Sequence, residues 1–462
     1  MKLLFIYPSA GFYLSPDIAG PNAFLPPLGL LYIAKMAELQ GHSVEIIDYG
    51  AEKFDEIALQ RAINSSDAIG MTIFSERKDL KNSTVLAKKI KQFSPDIPLI
   101  LGGPHCFLFP EQALRDHNAD IAVSSEGEFI IGPITEALEG KRSLSSIPGL
   151  TFKQNGKIHT TKSSEQIMNL DTIPFPSRHL VQKYKYGYMF GTKTMKGKVT
   201  SLISSRGCPN RCIFCQICYF EKYRRRSVAN TNQEIDELVL KGYNSIAFAD
   251  DNFLADKKRA EQIMDHIIQQ RYDLSLWILD TRVDSADRKL YQKMRDAGVK
   301  MVSFGIESGN QDILDFYNKK ITIEQIRKAV ELSNEMGFII DANFILGAPT
   351  ETKKQINNTI MFAKSLPINH ALFNHLEYNA GTPLWEQAVK QGKINREEYS
   401  VKSDKQRGLA LYDAKEIDEF CKKANFSFYF NPRYLIREII FALRNNNPLI
   451  LQLALNKFFK KF

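Results

Sequence analysis

Short, almost wholly apolar runs mark the first 140 residues, at Leu3–Tyr7, Val44–Asp48, Ala68–Phe74, Leu99–Leu101 and Ile121–Val123. Between them the apolar positions recur at helical spacing over Leu28–Gln40, Phe54–Ile63, Leu80–Phe93, Glu111–Asp116 and Phe129–Leu138. Strands alternating with amphipathic helices predict a doubly wound parallel sheet with right-handed crossovers. Such sheets bind ligands outside the carboxyl ends of their strands. The chain places loop residues there: Pro8-Ser9-Ala10-Gly11, Ser75-Glu76, Gly102-Gly103-Pro104-His105 and Ser124-Ser125-Glu126-Gly127-Glu128. A dinucleotide site would put G-x-G-x-x-G after the first strand, where Pro8–Gly11 stands instead.

The alternation breaks from Lys141 to about Gly197. Gly149 to His159 reads as a hairpin turned by Asn155-Gly156, and Asp171-Thr172-Ile173-Pro174-Phe175-Pro176 runs extended because each proline disfavours helix before it. The pattern predicts a linker over 141–197 between a domain at 1–140 and a core at 198–394. In that core βα units resume. Strands are expected at Val199–Ser204, Ser245–Ala249, Ser275–Leu279, Lys300–Ile306, Phe338–Leu346 and Ala371–Glu377. Helices are expected at Gln233–Lys241, Lys257–Gln270, Ala286–Ala297, Ile323–Met336 and Lys354–Ser365. Six units make a partial barrel, with its chemistry at the strand ends. Residues 395–462 read as a helical region. Its last part, Pro432–Phe462, is basic and rich in Leu, Ile and Phe, a pattern for docking on the barrel or lying on a membrane surface.

Composition narrows the class. An apolar fraction of 44% in 462 residues supplies ordinary cores. The apolar run at the start is too short for a signal peptide, no stretch is long enough to span a membrane, and six cysteines make no disulfide framework. The expected location is the cytoplasm. The net charge of +9 comes from 61 basic and 52 acidic residues that are mostly interspersed, so no nucleic acid partner is expected. Lys222-Tyr223-Arg224-Arg225-Arg226 and Lys457–Lys461 are the local exceptions.

Gly207-Cys208-Pro209-Asn210-Arg211-Cys212-Ile213-Phe214-Cys215 follows the first core strand and spaces three cysteines as C-x3-C-x2-C. Three thiolates in one loop suit a cubane cluster with one iron left open, whereas structural zinc wants four protein ligands. Cys218 offers a fourth thiol, read as a small helix residue; Cys106 and Cys421 are isolated. The spacing, with an aromatic before the third cysteine, resembles the radical S-adenosylmethionine (SAM) superfamily. The preceding sheet resembles the cobalamin-binding domain of its cobalamin-dependent branch, through Pro26-Pro27-Leu28-Gly29, Gly102-Gly103-Pro104-His105 and Glu126-Gly127-Glu128.

The resemblance implies a flavodoxin-like sheet followed by a (β/α)6 radical-SAM barrel. Cys208, Cys212 and Cys215 would hold a 4Fe–4S cluster that splits SAM reductively. Asp250, Asp251, Arg282, Glu307, Ser308 and Gly347, at strand ends, would contact SAM, although strand-end aspartates also cap helices. In Gly347-Ala348-Pro349-Thr350-Glu351-Thr352, Thr350 is a helix-cap candidate. Ser75, Gly102, Gly103, Pro104, His105, Glu126 and Gly127 would line the cobalamin site. No D-x-H-x-x-G is present, so no protein histidine is expected on cobalt. The implied reaction is modification, foremost methylation, of an unactivated carbon on a small-molecule, peptide or lipid substrate, with a reductant such as flavodoxin or ferredoxin. Cobalamin-assisted oxidation or ring formation and a non-catalytic corrinoid sensor are the rivals. A methylthiotransferase would need three cysteines in the N-terminal domain, where only Cys106 lies.

Overall fold

A computed structural model describes residues 1–8, 23–74, 77–189, 192–216 and 222–444. The chain divides into two compact units, Met1–Gly187 and Tyr188–Phe462.

In the first unit five parallel strands, β1 (Lys2–Tyr7), β2 (Ser43–Asp48), β3 (Ala68–Thr72), β4 (Leu99–Gly102) and β5 (Ile121–Val123), lie in the order 2-1-3-4-5. That is the flavodoxin-like order, with its switch point between β1 and β3. Leu3 to Ile6 are buried throughout, as befits a strand covered on both faces. Helices α1 (Leu28–Leu39), α2 (Glu56–Asn64), α3 (Arg77–Phe93), α4 (Pro104–Leu108), α5 (Pro110–His117) and α6 (Ile131–Leu138) fill the crossovers. Asp55 starts α2 by accepting from Ile57 N at 2.9 Å and Ala58 N at 3.0 Å.

Two expectations change here. The hairpin is no free linker: β6 (Leu150–Gln154) pairs antiparallel with β5, and β7 (Lys157–Thr160) with β6, so the sheet continues past residue 140. Its turn residues Asn155 and Gly156 have φ of 51° and 73°, as a type I′ turn requires. The strap behind it also belongs to the first unit, since Tyr186 Oη donates to Asp48 Oδ2 at 2.8 Å. Second, Pro104 and His105 stand in α4 rather than a loop. Proline at a first helical position already has the helical φ and lacks only an amide that would be unpaired anyway.

The second unit is built on β8 (Val199–Leu202), β9 (Ser245–Phe248), β10 (Ser275–Thr281), β11 (Val299–Glu307), β12 (Ile339–Leu346) and β13 (His370–His375), all parallel and in sequence order. The helices are α7 (Val228–Leu240), α8 (Lys257–Gln269), α9 (Arg288–Asp296), α10 (Gln311–Phe316), α11 (Ile323–Glu335), α12 (Lys353–Ser365), α13 (Pro383–Lys390), α14 (Ala414–Tyr429) and α15 (Pro432–Arg444). Leu202, Phe248, Ile278, Val302, Phe304, Ile340, Ala342 and Phe373 join the core with residues of these helices. The alternate residues of each strand therefore face the other way, into the lumen of the open barrel.

The basic run at Lys222–Arg226 is spent inside this unit: Arg226 is buried on Glu234, and Arg225 reaches Asp256 at 2.8 Å. On α15 the side chains of Leu435, Ile436, Ile439, Ile440 and Leu443 are exposed. Among the described residues no helix is long and apolar enough to cross a membrane. Lys457–Lys461 lie outside the described residues.

Candidate functional site

The cysteine loop leaves the barrel after β8 and is fastened along its length. Ser204 N and Oγ donate to Asp250 at 2.6 and 2.5 Å, and Ser205 Oγ does so at 2.8 Å. Gly207, with φ of 76°, turns the chain outward and donates its amide to Asp251 Oδ2 at 2.7 Å. Asn318 Nδ2 donates to Arg211 O at 2.6 Å, and Ile213 N to Tyr317 O at 3.1 Å. Leu384 N, in the first turn of α13, donates to Ile213 O at 3.1 Å. The Phe214 ring meets Tyr317 edge-on with centroids 5.1 Å apart. The loop from β8 thus closes against segments that follow β9, β11 and β13, as in a curled sheet.

Cys208, Cys212 and Cys215 form no disulfide, Cys212 being buried and the other two half-buried. Asn210 Nδ2 lies 3.4 Å and Asn252 Nδ2 4.0 Å from Cys208 Sγ, and Arg282 Nη1 lies 3.9 Å from Cys212 Sγ. Burial pushes the Cys212 thiol up, while Lys319 and Arg282 act in the opposite direction. Donors and cations around thiolates are what an anionic iron–sulfur group needs, so the residues present fit a cluster. Among the described residues no three His, Cys, Asp or Glu side chains converge on one ion, and in a cubane each thiolate holds a different iron. Cys218 lies outside the described residues.

Next to the cysteines sits a buried ion pair that spacing alone did not show. Lys319 Nζ donates to Glu307 Oε1 at 2.6 Å, and lies 5.9 Å from the centre of the Phe214 ring. Glu307 has a φ of 66°, a left-handed conformation costly for a non-glycine residue and frequent at functional sites. Beneath the pair lies Gly305, where a Cβ would stand 2.5 Å from Glu307 Oε1 and 2.8 Å from Lys319 Nζ. Burial lowers the Lys319 pKa, yet Glu307 and the Cys212 sulfur more than offset it, so the ammonium is held more firmly than usual. Arg282 donates to both oxygens of Asp284, to Lys319 O at 2.6 Å and toward Cys212.

The remaining strand-end expectations divide. Asp251 and Glu307 are within reach of the cysteine loop, whereas Asp250 is wholly buried on Ser204 and Ser205. Ser308 turns to the helix layer, with its Oγ 3.2 Å from Thr359 Oγ1. Gly347, with φ of 97°, donates to Glu351 Oε2 at 2.7 Å. The helix cap there is Thr352 in a full box with Gln355, not Thr350. Burial pushes the Glu351 carboxyl up to about 7.

On the first unit Ser75 lies outside the described residues. Gly102 ends β4, and among the described residues nothing lies within 4 Å of a Cβ position there. Gly103 differs: a Cβ there would meet Ile73 O and Thr72 Oγ1, each at 2.7 Å. His105 is fully buried, its ring 5.7 Å from Phe109, and burial lowers its pKa to about 4. It is covered by protein rather than lining an open face. Glu126 Oε2 accepts from Ile167 N at 2.6 Å, and Gly127 packs on Ile33 of α1. These two residues hold the strap and the helix entry. The open edge at Gly102 fits a corrinoid; the covered His105 fits the absence of a histidine ligand.

Residues 202–363 match the Radical SAM superfamily model and residues 17–131 the B12 binding domain model. An uncharacterized methyltransferase of Pyrococcus horikoshii is 34% identical over 424 residues, 90% of each chain. The chain belongs to the cobalamin-dependent radical SAM enzymes. A 4Fe–4S cluster, SAM and cobalamin are thus its cofactors. Within the family, cytidylyl-2-hydroxyethylphosphonate methyltransferase of Streptomyces wedmorensis is 27% identical, covering 87% of this chain and 86% of its own. In fold, the radical SAM methyltransferase TsrM of Kitasatospora setae is similar at a TM-score of 0.68 and 18% identity, covering 84% of this chain and 76% of its own.

Proposed function

We propose that this radical SAM enzyme transfers a methyl group to an unactivated carbon of a substrate admitted to the barrel lumen. The observation that carries the reading is the fastened cysteine loop with the Lys319–Glu307 pair beside it, in a chain whose near full-length relatives are named methyltransferases. When bound, the cluster supplies the electron that splits SAM, and the corrinoid supplies the methyl group.

The chain's own residues position and shield. Cys208, Cys212 and Cys215 hold the irons. Asp250 and Asp251 fix the two ends of the loop stem, and Arg282 braces Lys319 and the Cys212 sulfur. Glu307 and Asp251 present negative charge to the ammonium and sulfonium of SAM. Gly102 leaves the edge of the first sheet open to the corrinoid. The reductant is a flavodoxin- or ferredoxin-like protein, the setting the cytoplasm, and the exposed apolar face of α15 with its flanking arginines a contact for a membrane surface.

Anaerobic reconstitution with methyl-labelled SAM tests the reading. Methyl transfer yields 5′-deoxyadenosine, S-adenosylhomocysteine and a labelled product. 5′-Deoxyadenosine without S-adenosylhomocysteine assigns the corrinoid to oxidation or ring formation instead. Neither compound leaves a binding module.

A further inference from the structure

Four neighbouring strands carry one polar row at a single level of the barrel. Ser303 on β11 is in register with Asp341 on β12, and Asp341 with His370 on β13. Ser303 Oγ donates to Asp341 Oδ2 at 2.8 Å, and His370 Nδ1 pairs with Asp341 Oδ1. The row continues onto β10 through a bulge. Ile278 pairs with Val302 and Thr281 with Phe304, so Leu279 and Asp280 together stand opposite the single Ser303. Ile278, Val302 and Phe304 pack under the helices, which leaves the lumen phase to Ser303 and the bulged pair.

Asp280 is distinctive in that row. Its side chain is solvent-accessible although protein surrounds it on nearly every side, as expected of a group projecting into an enclosed lumen. Among the described residues nothing hydrogen-bonds or ion-pairs with it. The charged and titratable groups acting on it are Asp251, Asp341, Lys319 and Cys215. Lys319 is already committed to Glu307 and Asp341 to His370. Burial first, then Asp251 and Asp341, push the Asp280 carboxyl up to about 7. The lumen thus holds a surplus of acid that a cation would relieve.

We propose that Asp280 receives a cationic nitrogen of the substrate, so that the substrate is an amine- or guanidine-bearing molecule and not a hydrocarbon. The inference rests on the reading that the substrate enters this barrel. A carboxyl at the level of Ser303, facing the lumen and uncommitted, discriminates against a purely apolar ligand because that ligand would leave it, charged or protonated, without a hydrogen-bond partner. It orients an ammonium through a charge-assisted hydrogen bond.

Equilibrium dialysis of radiolabelled n-butylammonium and n-butyrate against the iron-loaded full-length protein, with saturating SAM, tests the proposal. Saturable uptake of butylammonium is expected, at least tenfold tighter than any uptake of butyrate. Asp280→Asn should weaken that uptake about tenfold or more, with iron content and melting temperature as checks of folding. Equal uptake of the two ions, or none of butylammonium, by the wild-type protein overturns the proposal without any variant. Uptake of butylammonium that appears only when SAM is left out overturns it too, because the carboxylate then serves the SAM cation. Failure of the wild-type protein to cleave SAM counts against the methyltransferase reading and leaves the dialysis result standing separately.

Discussion

Replacing Lys319 by methionine removes the ammonium but keeps most of the buried volume, leaving Glu307 with its partner gone. The two side chains are 8% and 6% accessible and 2.6 Å apart, so the abandoned carboxylate has little water to turn to. Breaking such a pair from one side costs about 3–5 kcal/mol. For a domain of this size that is a fall in melting temperature on the order of 10 °C. Glu307→Gln strands the ammonium instead, so it should lose comparable stability as well as SAM affinity, the latter by about tenfold. A reading of Glu307 as a ligand group alone would expect the SAM effect without the thermal one. The double variant, neutral on both sides, should recover most of the stability and none of the SAM affinity.

The assay is a set of anaerobic melts and SAM titrations on four iron-loaded proteins. A coupling energy of about 2 kcal/mol or more between the two sites is expected. Additivity within about 0.5 kcal/mol would refute the reasoning, because independent sites add to that accuracy. A single variant losing less than about 1 kcal/mol would refute it as well. Exposed pairs measure in that range, and this pair would then behave as though solvated.

Changing Cys208, Cys212 or Cys215 to alanine should abolish both iron retention and SAM cleavage, read by iron analysis and 5′-deoxyadenosine; full cleavage by Cys212→Ala would remove the cluster assignment. Gly102→Trp should expel cobalamin while iron content stays, as followed by the corrinoid absorbance, because a side chain there enters open space. Gly103→Trp should fail differently, by driving atoms into the Ile73 backbone and lowering stability. Burial raises the Asp48 carboxyl to about 6 despite bonds from Tyr186 and Gly50. The folded protein therefore holds that proton more tightly than the unfolded chain, and stability should fall by about 2 kcal/mol as pH rises from about 4 to about 6. Urea midpoints for Asp48→Asn should show that slope flattened; an unchanged slope would mean the titration belongs elsewhere.

The strand–helix alternation was legible because each apolar run is long enough to fill a buried strand, and the cysteine spacing because one loop carries all three ligands. Asp280 was not. Helical or strand periodicity places it with Ile278 on the outer face, and only the extra residue opposite Ser303 turns it inward. A bulge leaves no mark in composition; it is fixed by how two strands pair. Lys319 escaped for a related reason. It sits in a connection between α10 and α11 with no pattern, and gains meaning only where the chain brings it over Gly305.

The acidic strand ends raise a harder ambiguity, which concerns what a cluster loop demands of its neighbours. A loop that leaves a barrel to wrap a ligand abandons its ladder, so its first amides need acceptors that are not the next strand. Ser204 N and Gly207 N are such donors, and they find Asp250 and Asp251. A cationic cofactor at the same edge asks for the same residue type. Both demands select an acid at the end of β9, and sequence cannot apportion them. Burial can. Asp250 is wholly enclosed, with an oxygen on the Ser204 amide and hydroxyls on the other, so its charge is used up in holding the loop stem. Asp251 is half-buried, and Gly207 takes one oxygen. The SAM contact proposed above therefore falls to Asp251 rather than to Asp250. Asp250→Asn should accordingly lower iron occupancy and stability together, while Asp251→Asn should weaken SAM binding at a iron content much closer to wild type.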